Sequence, residues 1–184
     1  RAITLRGLED GIDLADANAL AALASALEMR LVHRPGGDRL YIGTEDVTPR
    51  LREPAVERNV SVVSRLPSVR RVMVQLQRAM AREGPVVMAG RDIGTVVLPD
   101  ARVKVFLKAS PEVRTRRRFL ELVSLGKSPA HRRVAEELAS RDAQDQGRED
   151  SPLRPADDAV QIDTDCLTIE DVAERVLALV QGKR

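Results

Sequence analysis

Tryptophan is absent from this sequence, and one tyrosine with two phenylalanines supplies its 2% of aromatic residues. Valine, leucine, isoleucine and alanine must therefore fill the core. The same scarcity argues against binding of single-stranded nucleic acid, which uses several exposed rings as stacking platforms. Cysteine is almost missing too. A single Cys166 cannot form an intrachain disulfide, and with no signal peptide in the sequence the expected location is the reducing cytoplasm. Cys166 itself reads as small filler near a strand end rather than as a redox group. Long hydrophobic runs are lacking: the longest uncharged helical stretch, 17–27, is too short and too alanine-rich to span a bilayer, so no membrane partner is expected. His33 and His131 lie far apart, and neither HExxH, paired cysteines nor GxSxG occurs. No protein-held metal and no covalent nucleophile are expected.

What is present suits a folded domain. Hydrophobic residues at 43% and charged residues at 32% are ordinary for a globular protein, and 184 residues allow one compact domain or one carrying a small insert. The net charge of +2 is nearly balanced. The pI near 9.0 reflects an arginine excess between Arg114 and Arg154, which invites an anionic partner, phosphate being the simplest.

Periodicity predicts a helix over 16–29, with Leu20, Leu23, Ala24 and Leu27 on one face and Asp16 as its cap. Short β-prone pieces separated by Gly36-Gly37 and other turn residues predict a small antiparallel insert from Arg30 onward. Pro54 and Pro67 bracket a second helix over 55–66, and Val69, Val72, Met73, Leu76 and Met80 mark a longer one ending near Gly84. From there the pattern alternates. The apolar runs 86–89, 103–107 and 159–162 read as buried parallel strands, while Ser110-Pro111-Glu112 and Thr168 to Asp171 are helix starts. The expected class is α/β, a parallel sheet flanked by helices, with ligands bound at the strand ends. Ile3 and Leu5 follow Arg1 as if the chain began inside an element.

Four groups of residues carry chemistry. Gly90-Arg-Asp-Ile-Gly-Thr95 follows an expected strand; Arg91 offers a planar fork for a phosphate and Asp92 an acceptor for an amino group, or the two form a solvated pair on a turn. Arg114, Arg117 and Arg118 share a helix face and repel one another, which an anionic ligand would offset, or else Glu112 and Glu121 do. Arg132 and Arg133, after 126–129, could extend that site if the segment folds over as a lid. Arg141, Asp145 and Arg148 form a stripe at the end of a helix, readable as a ligand site or as a surface ion pair. Ser61 and Arg70 make a weaker group beside the insert. A site rich in arginine and short of nucleophiles suits phosphoryl transfer, where positioning and charge neutralisation dominate.

The runs 90–101 (GRDIGTVVLPDA), 106–112 (FLKASPE), Arg141-Asp-x-x-Asp-x-x-Arg148, Ser151-Pro-Leu and 156–163 (ADDAVQID) closely resemble bacterial cytidylate kinases, P-loop nucleoside monophosphate kinases, nearly from end to end. The resemblance implies a five-stranded parallel sheet, a monophosphate-binding insert region at 30–66 whose small β-rich insert is Arg30 to Val47, a core of 1–29 and 67–184, and a short lid near 117–140. It implies that Arg70, Asp92 and Arg148 recognise cytosine, Ser61, Arg141 and Asp145 hold the sugar, and Arg91 contacts the monophosphate. The arginines of 114–118 and of the lid would neutralise ATP. Mg²⁺ would accompany ATP, with CMP or dCMP as acceptor, and a monomer is expected. Family members begin with a strand, a GxxGxGK[ST] loop, its helix and a second strand. No GxxxxGK[ST] occurs in these 184 residues, so those parts are expected to lie outside the chain, together with their lysine and Mg²⁺-holding hydroxyl. Little kinase activity is then expected of this polypeptide alone, and a CMP-binding fragment is the competing reading. A basic RNA-binding domain is a third, which the few aromatics disfavour.

Overall fold

A computed structural model of the chain describes residues 1–147 and 153–182, which fall into two compact units, Arg1–Pro85 and Val86–Arg184. In the first unit Ile3 and Leu5 belong to a helix, α1 (Ala2–Glu9). Successive helical positions turn by about 100°, so residues two apart face nearly opposite ways. Ile3 accordingly joins Leu20, Ala24, Val63 and Val69 in one apolar cluster, while Leu5 joins Val47 and Val56 in another. Helix α2 (Ala17–Ala26) starts as its sequence predicts, with the Asp16 carboxylate accepting from the Asn18 and Ala19 amides. Close packing of α1 on α2 needs Gly7: a Cβ there would stand 3.0 Å from Cδ2 of Leu20.

The antiparallel insert forms as β1 (Met29–Val32), β2 (Arg39–Ile42) and β3 (Glu45–Asp46), with Leu31 opposite Leu40 and Tyr41 opposite Asp46. Gly36 and Gly37 turn the first hairpin at φ 94° and 125°, backbone that side chains disfavour. A 3₁₀ turn (Thr48–Arg52) leads into α3 (Pro54–Val63), which stops three residues before the predicted end, and α4 (Pro67–Arg82) follows. The Ser68 hydroxyl ties α4 to the carbonyl of Ala17 at 2.9 Å.

An ion network joins the insert to α1. Arg6 pairs with Glu9 at 2.8 Å and Glu45 at 2.7 Å, and Arg50 pairs with Glu9 and with Glu53 at 2.9 Å. The Arg6 hydrogen bond, helped by the charges of Arg6 and Arg50, holds the Glu45 carboxyl below its ordinary value of 4.5. A carboxyl that binds its proton more weakly when folded contributes stability fully above its unfolded value. That contribution is lost as pH falls through the folded one. Glu45→Gln should therefore lower the melting temperature near neutrality but make its decline shallower below about pH 4.5, as thermal melts across pH would show.

The second unit holds a parallel pair, β4 (Val105–Lys108) and β5 (Val160–Asp163), in register from Val105 opposite Val160 to Lys108 opposite Asp163. Helices α5 (Pro111–Ser124) and α6 (His131–Gln146) lie between them in the chain, and α7 (Ile169–Gly182) follows β5. Ser110 caps α5, its hydroxyl accepting from the Val113 amide. Gly126, at φ 72°, turns the chain from α5 toward α6, so 117–140 spans two helices and their link. A mixed α/β fold with a parallel sheet is as the sequence predicts, but the expected strand 86–89 does not form. No strand among the described residues pairs with it, and Val87 is 95% exposed. An apolar run becomes a parallel strand only when neighbouring backbones satisfy its amides and carbonyls. No helix among the described residues is long and apolar enough to cross a membrane.

Candidate functional site

The segment Gly90–Thr95 opens a π-helical turn over Ile93–Val97. Its bonds run from the Val97 amide to the Asp92 carbonyl at 3.1 Å and from the Leu98 amide to the Ile93 carbonyl at 2.7 Å. Such turns are rare and concentrate at functional sites, because the widened coil re-aims the residues at its start. Here those residues are Arg91 and Asp92, both half-buried. Gly90 is needed for the entry: a Cβ there would lie 2.8 Å from Cγ1 of Ile93. Val97, 1% exposed, anchors the far end. Beside this turn opens a pocket of about 230 Å³ lined by Gly94, Thr95, Lys104, Arg154 and Asp157 among others. Lys104 forms part of its wall and gives its ammonium to both oxygens of Asp158, at 2.8 and 2.9 Å.

The three arginines of α5 differ in what they hold. Arg114 donates to the Asp142 carboxylate on α6 at 2.6 Å. Arg117 donates to the Thr164 hydroxyl at 3.0 Å and to its carbonyl at 2.5 Å, just past the carboxyl end of β5. Arg118 pairs along its own helix with Glu121 at 2.8 Å. The carboxylates named from sequence as neighbours were Glu112 and Glu121; Asp142 and Thr164 were missed, being 28 and 47 positions away. The basic pair past the turn, Arg132 and Arg133, faces Glu136 and Glu137 one helical turn on.

Arg141 is exposed on α6, and Asp145 occupies the last turn of the same helix. Arg148 lies outside the described residues. In the first unit Ser61, on α3, and Arg70, on α4, meet the same corner: the Ser64 hydroxyl donates to the Ser61 carbonyl at 3.2 Å, and Arg70 reaches the Ser64 carbonyl at 3.4 Å. Ser61 and Arg70 are thus linked through Ser64 in one unit, while Arg91 and Asp92 lie by the π turn, the three arginines on α5 and Arg141 on α6 in the other.

These features define a class: a mixed α/β protein with basic side chains at the carboxyl end of a parallel strand pair, the usual place for ligands in such sheets. Comparison with known proteins then names the family. The cytidylate kinase family model matches residues 1–182. The cytidylate kinase of Bacillus licheniformis is 47% identical over 184 residues, covering 100% of this chain and 81% of that protein. That of Geobacillus thermodenitrificans is 48% identical over 183 residues, and that of Bacillus subtilis 42%, each covering 100% of this chain and 82% of its relative. The chain belongs to the cytidylate kinase family.

Proposed function

We propose that the reaction served by this fold is transfer of the γ-phosphoryl of ATP to CMP or dCMP, giving CDP or dCDP. The observation that carries this reading is the family match over 1–182 in a chain whose sequence also contains Ser61, Arg70, Arg91, Asp92, Arg141, Asp145 and Arg148. In it Asp92, Arg70 and Arg148 select the cytosine by complementary hydrogen bonds. Ser61, Arg141 and Asp145 hold the sugar. Arg91 takes the monophosphate through its planar fork and lowers the repulsion between acceptor oxygens and the incoming phosphoryl group. Arg117 and Arg118 of α5, with Arg132 and Arg133, neutralise the ATP phosphates. No group of three or more His, Cys, Asp or Glu lies together among the described residues, and Mg²⁺ with ATP usually needs only one or two carboxylates beside the phosphates. Mg²⁺ is proposed to arrive with ATP, carried mainly by its phosphates.

A second reading, CMP binding without turnover by this polypeptide, is favoured by the lack of a GxxxxGK[ST] run in its 184 residues. Calorimetry with CMP and a coupled assay for ADP release separate the two. Saturable CMP binding with CMP-dependent ADP release supports the kinase reading; binding without release supports the second. Absence of CMP binding defeats both.

A further inference from the structure

Arg114 stands among the α5 arginines read as partners of phosphate, yet its strongest tie is to another helix. Its Nη1 meets Oδ2 of Asp142 at 2.6 Å with both side chains partly buried, 37% and 25% exposed. A short, partly desolvated charge pair of this kind constrains geometry more than a surface pair does. Helix α5 is itself fastened to the end of the sheet. The Ser110 amide donates to Asp165 at 2.7 Å, and Arg117 grips Thr164, which is 4% exposed and donates its hydroxyl to the Lys108 carbonyl at 2.9 Å. A continuous path therefore runs from β4 and β5 through α5 to Asp142. Asp142 follows Arg141 directly, about 100° round the helix from it, and Asp145 lies three positions on. Fixing Asp142 constrains the rotation of α6 about its axis, and with it the direction in which the neighbouring Arg141 is presented.

We propose that Arg114 is a positioning residue: through Asp142 it sets the rotation of α6 and so places Arg141 against the sugar of the acceptor nucleotide. This rests on the proposed CMP site. The alternative is that Arg114 serves phosphate directly, with Asp142 a bystander.

CMP affinity is measured by calorimetry on the full chain, with melting temperatures recorded for every variant. Asp142→Asn keeps the shape of the side chain and removes its charge. It should weaken CMP by about tenfold, the size of coupling usual for contacting charged groups. Arg114→Ala should weaken it similarly, the double variant no further than the worse single one, and Arg114→Lys should recover part of the loss. A purely structural role would weaken binding in any background. Positioning predicts instead that Asp142→Asn has little additional effect once Arg141 is already alanine. Wild-type CMP affinity in Asp142→Asn, full additivity of Arg114→Ala with Asp142→Asn, or an undiminished Asp142→Asn effect in Arg141→Ala would each overturn the proposal. A wild-type chain that does not bind CMP would overturn the underlying site, and the proposal with it.

Discussion

Leu20→Ala should lower the unfolding free energy by about 2–5 kcal/mol. Leu20 is 0% exposed and sits where α2 meets α1, packed with Ile3, Ala24, Val63 and Val69. Its Cδ2 would come within 3.0 Å of a Cβ on Gly7, so the leucine fills the space that the glycine leaves open. Truncating it opens a void in the cluster of Ile3, Ala24, Val63 and Val69, whose close-packed surroundings relax only partly. The void should persist, and the lost contacts add to the lost transfer energy. A natural domain holds only about 5–15 kcal/mol in reserve, so this loss is a substantial fraction of the total. Leu177→Ala is the control: Leu177 is 57% exposed, and its loss should fall within about 0.5 kcal/mol. Urea titration of both variants measures the difference. A Leu20→Ala loss no larger than that of Leu177→Ala would show that the α1–α2 junction is not the core described.

The second large effect concerns ligand. Arg91→Ala should weaken CMP binding by about ten- to a hundredfold, because a hydrogen bond to a charged group contributes about 1.5–3 kcal/mol. Cytidine, which lacks the phosphate, should bind the variant and the parent alike. Asp92→Ala should do the reverse, eroding the preference for cytidine over uridine while leaving the contribution of the phosphate in place. The two residues are adjacent at the start of the π turn. Calorimetry with CMP, cytidine and uridine distinguishes these outcomes. If Arg91→Ala weakens CMP and cytidine equally, Arg91 does not contact the phosphate.

Much of the local structure was legible in the sequence. Asp16 announced the start of α2 because a carboxylate can satisfy free amides at a helix start whatever lies around it. Gly36-Gly37 announced the hairpin, and the apolar stripe from Val69 to Met80 announced α4. The placing of Arg114, Arg117 and Arg118 on one helix was legible as well, since arginines spaced three and four apart share a face. The run 86–89 was misread for the opposite reason: its apolar composition is a strand signal, but strands exist in pairs, and no described strand lies alongside it. The π turn at Ile93–Val97 has no compositional signature and could not be read from the glycines around it.

By itself, then, the sequence determined the helices with caps and stripes, the antiparallel insert and the residue types of the site. These depend on groups a few positions apart, whose interactions survive any arrangement of the rest. Tertiary structure alone decided the partners of Arg114 and Arg117, whereas Arg118 pairs locally with Glu121. Arg114 reaches Asp142 across 28 positions and Arg117 reaches Thr164 across 47. Such pairings come into being only when packing of β4, β5, α5 and α6 brings distant segments within a few ångströms, where charge and hydrogen bonding first act between them.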